Sequence, residues 1–190
     1  MWTVYLLSGD AHKAVAAAEA NGATTVMAPV DLGRLGTMAV ILDPGRAHTG
    51  IWQPGAHKGF GAAGGPGTAV WFELLTKNYR ASVAFYRDTF GLDAVTATET
   101  DEARYTNLDR DGRHLAGIMD VGRLLPVGAP SQWETAFGVE DLNDALRSVA
   151  GAGGRLLQPP RDTPYGRLAR ALDPLGAQFG LLERDWGPAA

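Results

Sequence analysis

The stretch ILDPGRAHTGIWQ, from Ile41 to Gln53, returns in altered form as ALDPLGAQFGLLE, from Ala171 to Glu183. Each stretch reads as a strand, a tight turn that begins at an Asp-Pro pair, and a second strand. The second strand carries a glycine at the same place each time, Gly50 and Gly180. A recurrence of this kind predicts that the two stretches close two copies of one structural repeat.

The similarity extends upstream of both stretches. Further matches lie at a constant offset of 131 residues: Trp2 with Trp133, Asp10 with Asp141, Gly22 with Gly153, and Pro29 with Pro160. Between the tryptophan and the proline, AHKAVAAAEANG and LNDALRSVAGAGG each read as a short helix that opens at an acidic residue and stops at glycine. Each repeat is therefore predicted to be β-α-β-β-β.

A third, more divergent copy lies between these two. TAVWFELLT is an alternating strand, and NYRASVAFYRDTFG is an amphipathic helix whose apolar side includes Phe85 and Tyr86. A hairpin follows, with its turn at Arg110–Gly112. The predicted organisation is a single repeat at 1–54, a Gly/Pro-rich linker at 55–67, a pair of repeats at 68–184 and a tail at 185–190.

Bulk properties exclude several classes of protein. The chain has 190 residues and a net charge of −4, which gives no electrostatic case for binding nucleic acid. It has no apolar run long enough to cross a membrane, and its first residues do not read as a signal peptide. It contains no cysteine, so disulfides and thiolate metal sites are excluded. We expect a cytoplasmic bacterial protein.

WFELLTKNYRASVAFYRDTFGL resembles the opening of a module of the vicinal oxygen chelate superfamily, which includes glyoxalases, bleomycin-resistance proteins and dioxygenases. DPLGAQFGLLE resembles the closing hairpin of such a module. The resemblance implies an α+β fold in which βαβββ repeats pair into curved half-barrel sheets around a cleft. It does not select a function, because the superfamily includes lyases, dioxygenases, thiol transferases and drug-sequestering proteins.

The resemblance also implies where metal ligands would stand in metal-using members, on the first and last strands of each repeat. Those places hold Trp71 on a first strand, and Gly50, Gly117 and Gly180 on last strands. Only Glu134 supplies an oxygen donor, and one carboxylate does not hold a divalent ion against water. The sequence therefore predicts no metal site and no cofactor.

Two interpretations of the repeated glycine remain open. A glycine that faces the cleft would leave room for a bulky guest. Alternatively, glycine relieves crowding where the strands of a curved sheet approach one another.

The preferred functional prediction is a metal-independent protein that binds an apolar or aromatic small molecule for sequestration, resistance or natural-product handling. The predicted ligand-binding residues are Trp71, Glu73, Tyr105, Gly117, Trp133, Glu134 and Gly180. The alternative is a lyase, isomerase or oxygenase with Glu73 or Glu134 as its base. For both tryptophans in this set, a purely structural role is the competing interpretation.

The odd number of repeats predicts a partner. The repeat at 1–54 has no second half in its own chain, and an exposed apolar sheet face is either a liability or an interface. We expect a twofold homodimer formed through Trp2 to Gln53, which would rebuild a cleft at the interface. The competing interpretation is a truncated start, which would leave this repeat imperfectly packed. No nucleic-acid or membrane partner is expected.

Overall fold

The computed structural model of the chain describes residues 2–123 and 129–187. Part of the predicted 68–184 pair, residues 124–128, and the last three residues of the predicted tail lie outside the described residues. Within the described ranges the chain contains three α-helices and twelve β-strands.

The predicted β-α-β-β-β order is confirmed in all three repeats. The first contains β1 (Val4–Leu7), α1 (Ala11–Ala20), β2 (Thr24–Asp31), β3 (Gly36–Leu42) and β4 (His48–Pro54). The second contains β5 (Ala69–Thr76), α2 (Tyr79–Phe90), β6 (Asp93–Glu99), β7 (Arg104–Arg110) and β8 (Arg113–Asp120). The third contains β9 (Gln132–Val139), α3 (Leu142–Gly151), β10 (Arg155–Thr163), β11 (Gly166–Leu172) and β12 (Gln178–Glu183).

All three repeats have the same strand connections. The first strand pairs in parallel with the last, as β1 with β4, β5 with β8 and β9 with β12. The remaining neighbours are antiparallel, which gives the orders β1-β4-β3-β2, β5-β8-β7-β6 and β9-β12-β11-β10. The parallel pair requires a crossover, and the helix of each repeat provides it.

Contacts divide the chain into two compact units. Of the described residues, the larger unit contains 3–59, 73–123 and 129–133, and the smaller unit contains 2, 60–72 and 134–187. This grouping differs from the division expected from the sequence, because the first repeat belongs with most of the second. Strands β5 and β9 each run from one unit into the other.

The helix boundaries follow the predicted signals. The Asp10 carboxylate accepts a hydrogen bond from the Lys13 backbone N–H at 3.0 Å, and Asp141 accepts one from Asp144 at 2.8 Å. Each carboxylate satisfies a backbone donor that the first turn of a helix leaves unpaired. Helix α2 ends at Gly91, which has the left-handed φ of 61° that glycine adopts without strain.

The repeated Asp-Pro pair has a clear structural role. Asp43 Oδ1 accepts a hydrogen bond from the Ala47 backbone N–H at 2.7 Å, and Asp173 Oδ1 accepts one from Ala177 at 2.8 Å. The aspartate therefore closes the turn between the last two strands in the first and third repeats. This is why the Asp and the Ala recur together.

Each helix covers one face of its own sheet. In the larger unit, α1 buries Ala11, Ala14 and Ala18, while Ile41 and Ile51 of the sheet are fully buried. In the smaller unit the core residues Leu142, Ala169 and Leu181 are packed with further apolar side chains of α3, β9 and β12. Among the helices of the described ranges, none is both long enough and apolar enough to span a bilayer.

Candidate functional site

In the smaller unit, one face of the sheet packs against α3 and the other face points away from it. Phe137 of β9, Ala169 of β11 and Phe179 of β12 lie in the core with α3. Because successive strand residues point to opposite faces, their neighbours form the other face. We call this the ion-pair face; it carries Glu134, Ala136, Gln158, Leu168, Arg170, Gln178 and Gly180.

A buried salt bridge dominates the ion-pair face. Arg170 Nε donates to Glu134 Oε1 at 2.7 Å, and only 8% and 4% of the two side chains are exposed. Arg170 Nη1 donates to Gln158 Oε1 at 3.0 Å, and Gln178 Nε2 donates to Glu134 Oε2. Buried charges are tolerated when they are paired and hydrogen-bonded, and both conditions hold here.

This salt bridge limits the chemical roles that the Glu134 carboxylate can perform. A carboxylate that is bound to a guanidinium and to an amide is not available as a general base or as a metal ligand without breaking those bonds. The structure therefore gives the catalytic candidate Glu134 a different role, which is that of a buried ion-pair partner.

Gly180 lies at the centre of the ion-pair face. Its partner on β11 is Arg170, and its partner on β9 is Ala136. A Cβ atom added at Gly180 would lie 3.1 Å from the Cβ of Ala136, which is a tight contact. The guanidinium of Arg170 crosses this strand to reach Glu134, and the residue of β12 opposite Arg170 has no side chain.

The other two repeated glycines do not leave open space. A Cβ atom at Gly50 would overlap the ring of Tyr5, and one at Gly117 would overlap the phenol of Tyr105. The interpretation that glycine leaves room for a guest is therefore wrong at Gly50 and Gly117. At both positions the glycine relieves crowding, because a tyrosine of the same chain occupies the space.

Trp133 belongs to a buried hydrogen-bonded cluster. Its indole Nε1 donates to Thr49 Oγ1 at 3.0 Å and lies 3.2 Å from Tyr86 Oη. The Tyr86 hydroxyl donates in turn to Asp43 Oδ2 at 2.9 Å. Trp133 and Glu134 are adjacent on β9 and point to opposite faces, so they do not line one cleft together. These contacts favour the structural interpretation of Trp133, and its ligand-binding role stays a prediction.

Burial controls the electrostatics of this cluster. It raises the pKa of Asp43, although hydrogen bonds from the Ala47 backbone and from Tyr86 act in the opposite direction. Burial also raises the pKa of Tyr86 well above its ordinary value, and the negative charge of Asp43 raises it further. Tyr86 therefore remains a neutral hydrogen-bond donor.

The remaining predicted residues are distributed between the two units. Glu73 of β5 is half-buried and pairs with Gly117 of β8, and Tyr105 of β7 covers Gly117. These three residues are brought together within the larger unit. Trp71 is half-buried and belongs to the smaller unit, as do Glu134 and Gly180.

The residues at the expected ligand places do not fit a metal ion. Trp71, Gly117 and Gly180 offer no side-chain oxygen or imidazole, and the Glu134 carboxylate is bound by Arg170. Within residues 2–123 and 129–187, no group of three or more His, Asp or Glu side chains is placed to hold a metal.

The sequence did not identify Arg170, Gln158 or Gln178 as site residues. One signal was present for Arg170, which lies between two alanines and is the one charged residue of LARAL, residues 168–172 of β11. The two glutamines carried no signal, because polar residues on strands are ordinarily solvated.

Two surface depressions are lined by residues other than the predicted site residues. One of about 510 Å³ is beside the start of α3 and is lined by Phe137, Val139 and Asp141 among others. One of about 430 Å³ is lined by residues from α1 and the end of α2, including Lys13 and Thr89. Neither contains a predicted site residue.

Comparisons with known proteins agree with the fold. The family model for the glyoxalase/bleomycin resistance protein/dioxygenase superfamily matches residues 68–181. The anthracycline biosynthesis protein DauV of Streptomyces sp. strain C5 is 34% identical over 194 residues, which cover 100% of this chain and 68% of DauV.

Two solved structures show the same fold at low identity. The Mn(II)-bound glyoxalase of Novosphingobium aromaticivorans has a TM-score of 0.61 at 16% identity, over 95% of this chain and 62% of that one. The 2,3-dioxygenase LapB of Pseudomonas sp. KL28 has a TM-score of 0.59 at 15% identity, over 94% and 69%. The chain thus spans about two thirds of the length of these proteins. It belongs to the glyoxalase/bleomycin resistance protein/dioxygenase superfamily.

Proposed function

We propose that the chain binds a flat apolar or aromatic small molecule and that it does so without a metal ion. The observation that carries this proposal is the buried salt bridge between Glu134 and Arg170. Arg170 binds the carboxylate of Glu134, the one carboxylate at an expected metal-ligand position. The other expected positions hold Trp71, Gly50, Gly117 and Gly180, which have no side-chain oxygen. A set of aromatic and small residues suits contact with an apolar ligand better than coordination of a cation.

The chemical class of the ligand is supported by the relative DauV, whose name places it in anthracycline biosynthesis. Anthracyclines are flat, fused-ring aromatic molecules. A half-buried aromatic side chain is able to stack against such a molecule through its exposed part. We propose Trp71 as the aromatic contact, with Gly180 of the same unit as a further contact. Within the larger unit, Glu73 and Tyr105 are separate candidate contacts.

The test is a titration of the purified protein with an anthracycline, followed by tryptophan fluorescence and by thermal unfolding. We expect saturable binding that is unchanged by a chelator, and we expect Trp71→Ala to weaken binding about tenfold, as the loss of one aromatic contact implies. Trp186→Phe is the matched control, because Trp186 is bound to the Val139 carbonyl in the same unit.

Binding that disappears on chelation would contradict the metal-free proposal. The enzymatic alternative would be favoured instead by conversion of the added compound that is lost in Glu73→Gln. Glu73 is the appropriate variant for that assay, since Glu134 is bound by Arg170.

A second proposal concerns a partner chain. We propose that the first repeat forms a twofold homodimer through the face of its sheet that lies away from α1. We call this the open face; it carries Tyr5, Leu7, Met27, Val30, Met38, Val40 and Trp52. Leu7, Val30 and Tyr5 are 49%, 42% and 40% exposed, whereas Ile41 and Ile51 on the opposite face are fully buried.

The composition of the open face supports self-association. Its side chains are large, apolar and uncharged, so that two copies meet without electrostatic repulsion, and a twofold axis would match the patch with itself. Trp2, at the start of the expected interface, is instead packed edge-on against Phe137 in the smaller unit. The proposed interface therefore begins at Tyr5.

Light scattering across a concentration series tests the dimer. We expect the unmodified chain to reach twice the monomer mass, and Leu7→Lys to remain monomeric because it buries a charge in an apolar interface. Leu115→Lys on β8 is the matched control, since Leu115 is 41% exposed but lies outside the open face. A monomeric unmodified chain, or equal effects of the two lysines, would refute this interface.

A further inference from the structure

We propose that the guanidinium of Arg170 is the resident cation of the ion-pair face and neutralises Glu134 in place of a divalent metal ion. The Mn(II)-bound relative shares this fold, but the residues here provide a fixed organic cation instead of a metal site.

The geometry supports this role. Arg170 lies on β11 and Glu134 lies on β9, so the salt bridge spans the intervening strand β12. The residue of β12 opposite Arg170 is Gly180, which has no side chain, and the space above it is bordered by Ala136 and Leu168. A glutamate at Gly180, where the family resemblance implies a metal ligand, would lie opposite Arg170 on the same face of the sheet.

The hydrogen bonds around the pair hold it in one arrangement. Gln158 accepts from Arg170 Nη1 at 3.0 Å, and Gln178 donates to Glu134 Oε2. Each of the four strands β9 to β12 therefore contributes one side chain to the network. Approach of a divalent cation to Glu134 would bring it close to a buried positive charge, which is strongly unfavourable at low dielectric.

This inference deepens the proposed function and rests on its metal independence. It is separable from ligand binding, because its test measures stability and metal response rather than affinity for an anthracycline. The protein can fail to bind an anthracycline while the Arg170 variants described below show the expected changes in stability, and the reverse also holds.

The test replaces the guanidinium of Arg170 with a carboxylate that can coordinate a metal ion. In Arg170→Glu the shorter side chain leaves a space beside Glu134 that is surrounded by carboxylate and amide oxygens, which are donors suited to Mn²⁺. We expect this variant to melt about 6 °C or more below the unmodified chain without metal, and to recover with Mn²⁺. We expect no Mn²⁺ response from the unmodified chain.

Two further variants complete the design. Arg170→Met removes the cation without adding a ligand, and we expect a similar loss of melting temperature with no recovery in Mn²⁺. Glu134→Gln/Arg170→Met removes both charges, and we expect it to regain much of that loss, because no buried charge is left unpaired. If Arg170→Glu does not fold alone, refolding with and without Mn²⁺ gives the same comparison.

Three results would overturn the inference. One is Mn²⁺ binding to the unmodified chain that is abolished in Glu134→Gln. Another is an Arg170→Glu variant that neither melts earlier nor responds to Mn²⁺, including during refolding. The third is a double variant that is no more stable than Arg170→Met, since the salt bridge would then not be the reason for the loss.

Discussion

Replacing Gly166 with alanine is expected to lower the free energy of unfolding by about 3 kcal/mol or more. Gly166 begins β11 with a φ of 129°, a backbone conformation that residues with a side chain rarely adopt. An added Cβ atom would also overlap the carbonyl oxygen of Glu183 and lie 2.9 Å from the Cβ of Arg184. Because the overlap involves backbone, a side-chain rotation does not relieve it. Urea unfolding followed by circular dichroism measures the loss.

The matched control is Gly151→Ala in the same unit. Gly151 is the last residue of α3, and an added Cβ atom there meets nothing within 4 Å. We expect this variant to be unchanged or up to about 1 kcal/mol more stable, because alanine has the higher helix propensity. Equal losses in the two variants would contradict the assigned role of Gly166.

Gly36 gives an independent repetition of the same experiment. It begins β3 with a φ of 144°, and an added Cβ atom would overlap the carbonyl oxygen of Gln53. Gly36 and Gln53 match Gly166 and Glu183 in the repeat, so both repeats contain the same backbone contact. A comparable loss in Gly36→Ala would indicate that this contact is a feature of the repeat rather than of one strand.

The fold was predictable because its signals are local. The Asp-Pro turn, the aspartate that begins α1 and α3, and the glycine that follows α2 each act within a few residues. The recurrence of these signals at a constant spacing then gave the repeat and its strand order. None of these inferences needed a contact between distant parts of the chain.

The role of the repeated glycine was not predictable, because it depends on the neighbouring strand. A glycine in a strand is compatible with open space or with close approach of another residue. Tyr5 covers Gly50 only because β1 pairs in parallel with β4 in a register that joins these two residues. Alternation within β4 contains no information about that register.

The candidate site was predicted in part. Glu134 was identified as an exceptional residue, since it is the one carboxylate at the expected ligand places. Its partner Arg170 is 36 residues away in sequence and lies on a strand that does not pair directly with β9. A pattern within a single strand predicts which residues share a face of that strand, but it does not predict contacts across an intervening strand. It therefore identifies Glu134 but not Arg170, which neutralises it.

Tyr86→Phe is expected to lower the free energy of unfolding by about 2–3 kcal/mol at neutral pH, because it removes a hydrogen bond to a buried charge. The Tyr86 hydroxyl donates to Asp43 Oδ2 at 2.9 Å, and Tyr86 is fully buried. It is also within hydrogen-bonding distance of Thr49 Oγ1, at 2.8 Å. Without the hydroxyl, the Asp43 carboxylate loses a donor and water has little access to replace it.

The loss is expected to depend on pH in a defined direction. Burial raises the pKa of Asp43 above the ordinary value of 3.8, so the folded state holds this proton more tightly than the unfolded state. The corresponding stabilisation is complete below pH 3.8 and is lost as pH rises through the folded pKa. Because Tyr86 lowers the pKa of Asp43, its removal raises that pKa further. The effect of Tyr86→Phe on stability should therefore be larger at pH 7 than at pH 4.

Tyr79→Phe is the matched control for this pH dependence. Tyr79 is also a buried tyrosine of α2, but its hydroxyl is bonded to the neutral Thr106 hydroxyl. We expect a loss of about 1 kcal/mol that is the same at both pH values, as for a bond between neutral groups.

Asp43→Asn should likewise abolish the pH dependence of the Tyr86→Phe effect. If that dependence persisted in Asp43→Asn, or appeared equally in Tyr79→Phe, a group other than Asp43 would be titrating. If the Tyr86→Phe loss were independent of pH, Asp43 would hold the same charge at both values, and burial would not be controlling its protonation.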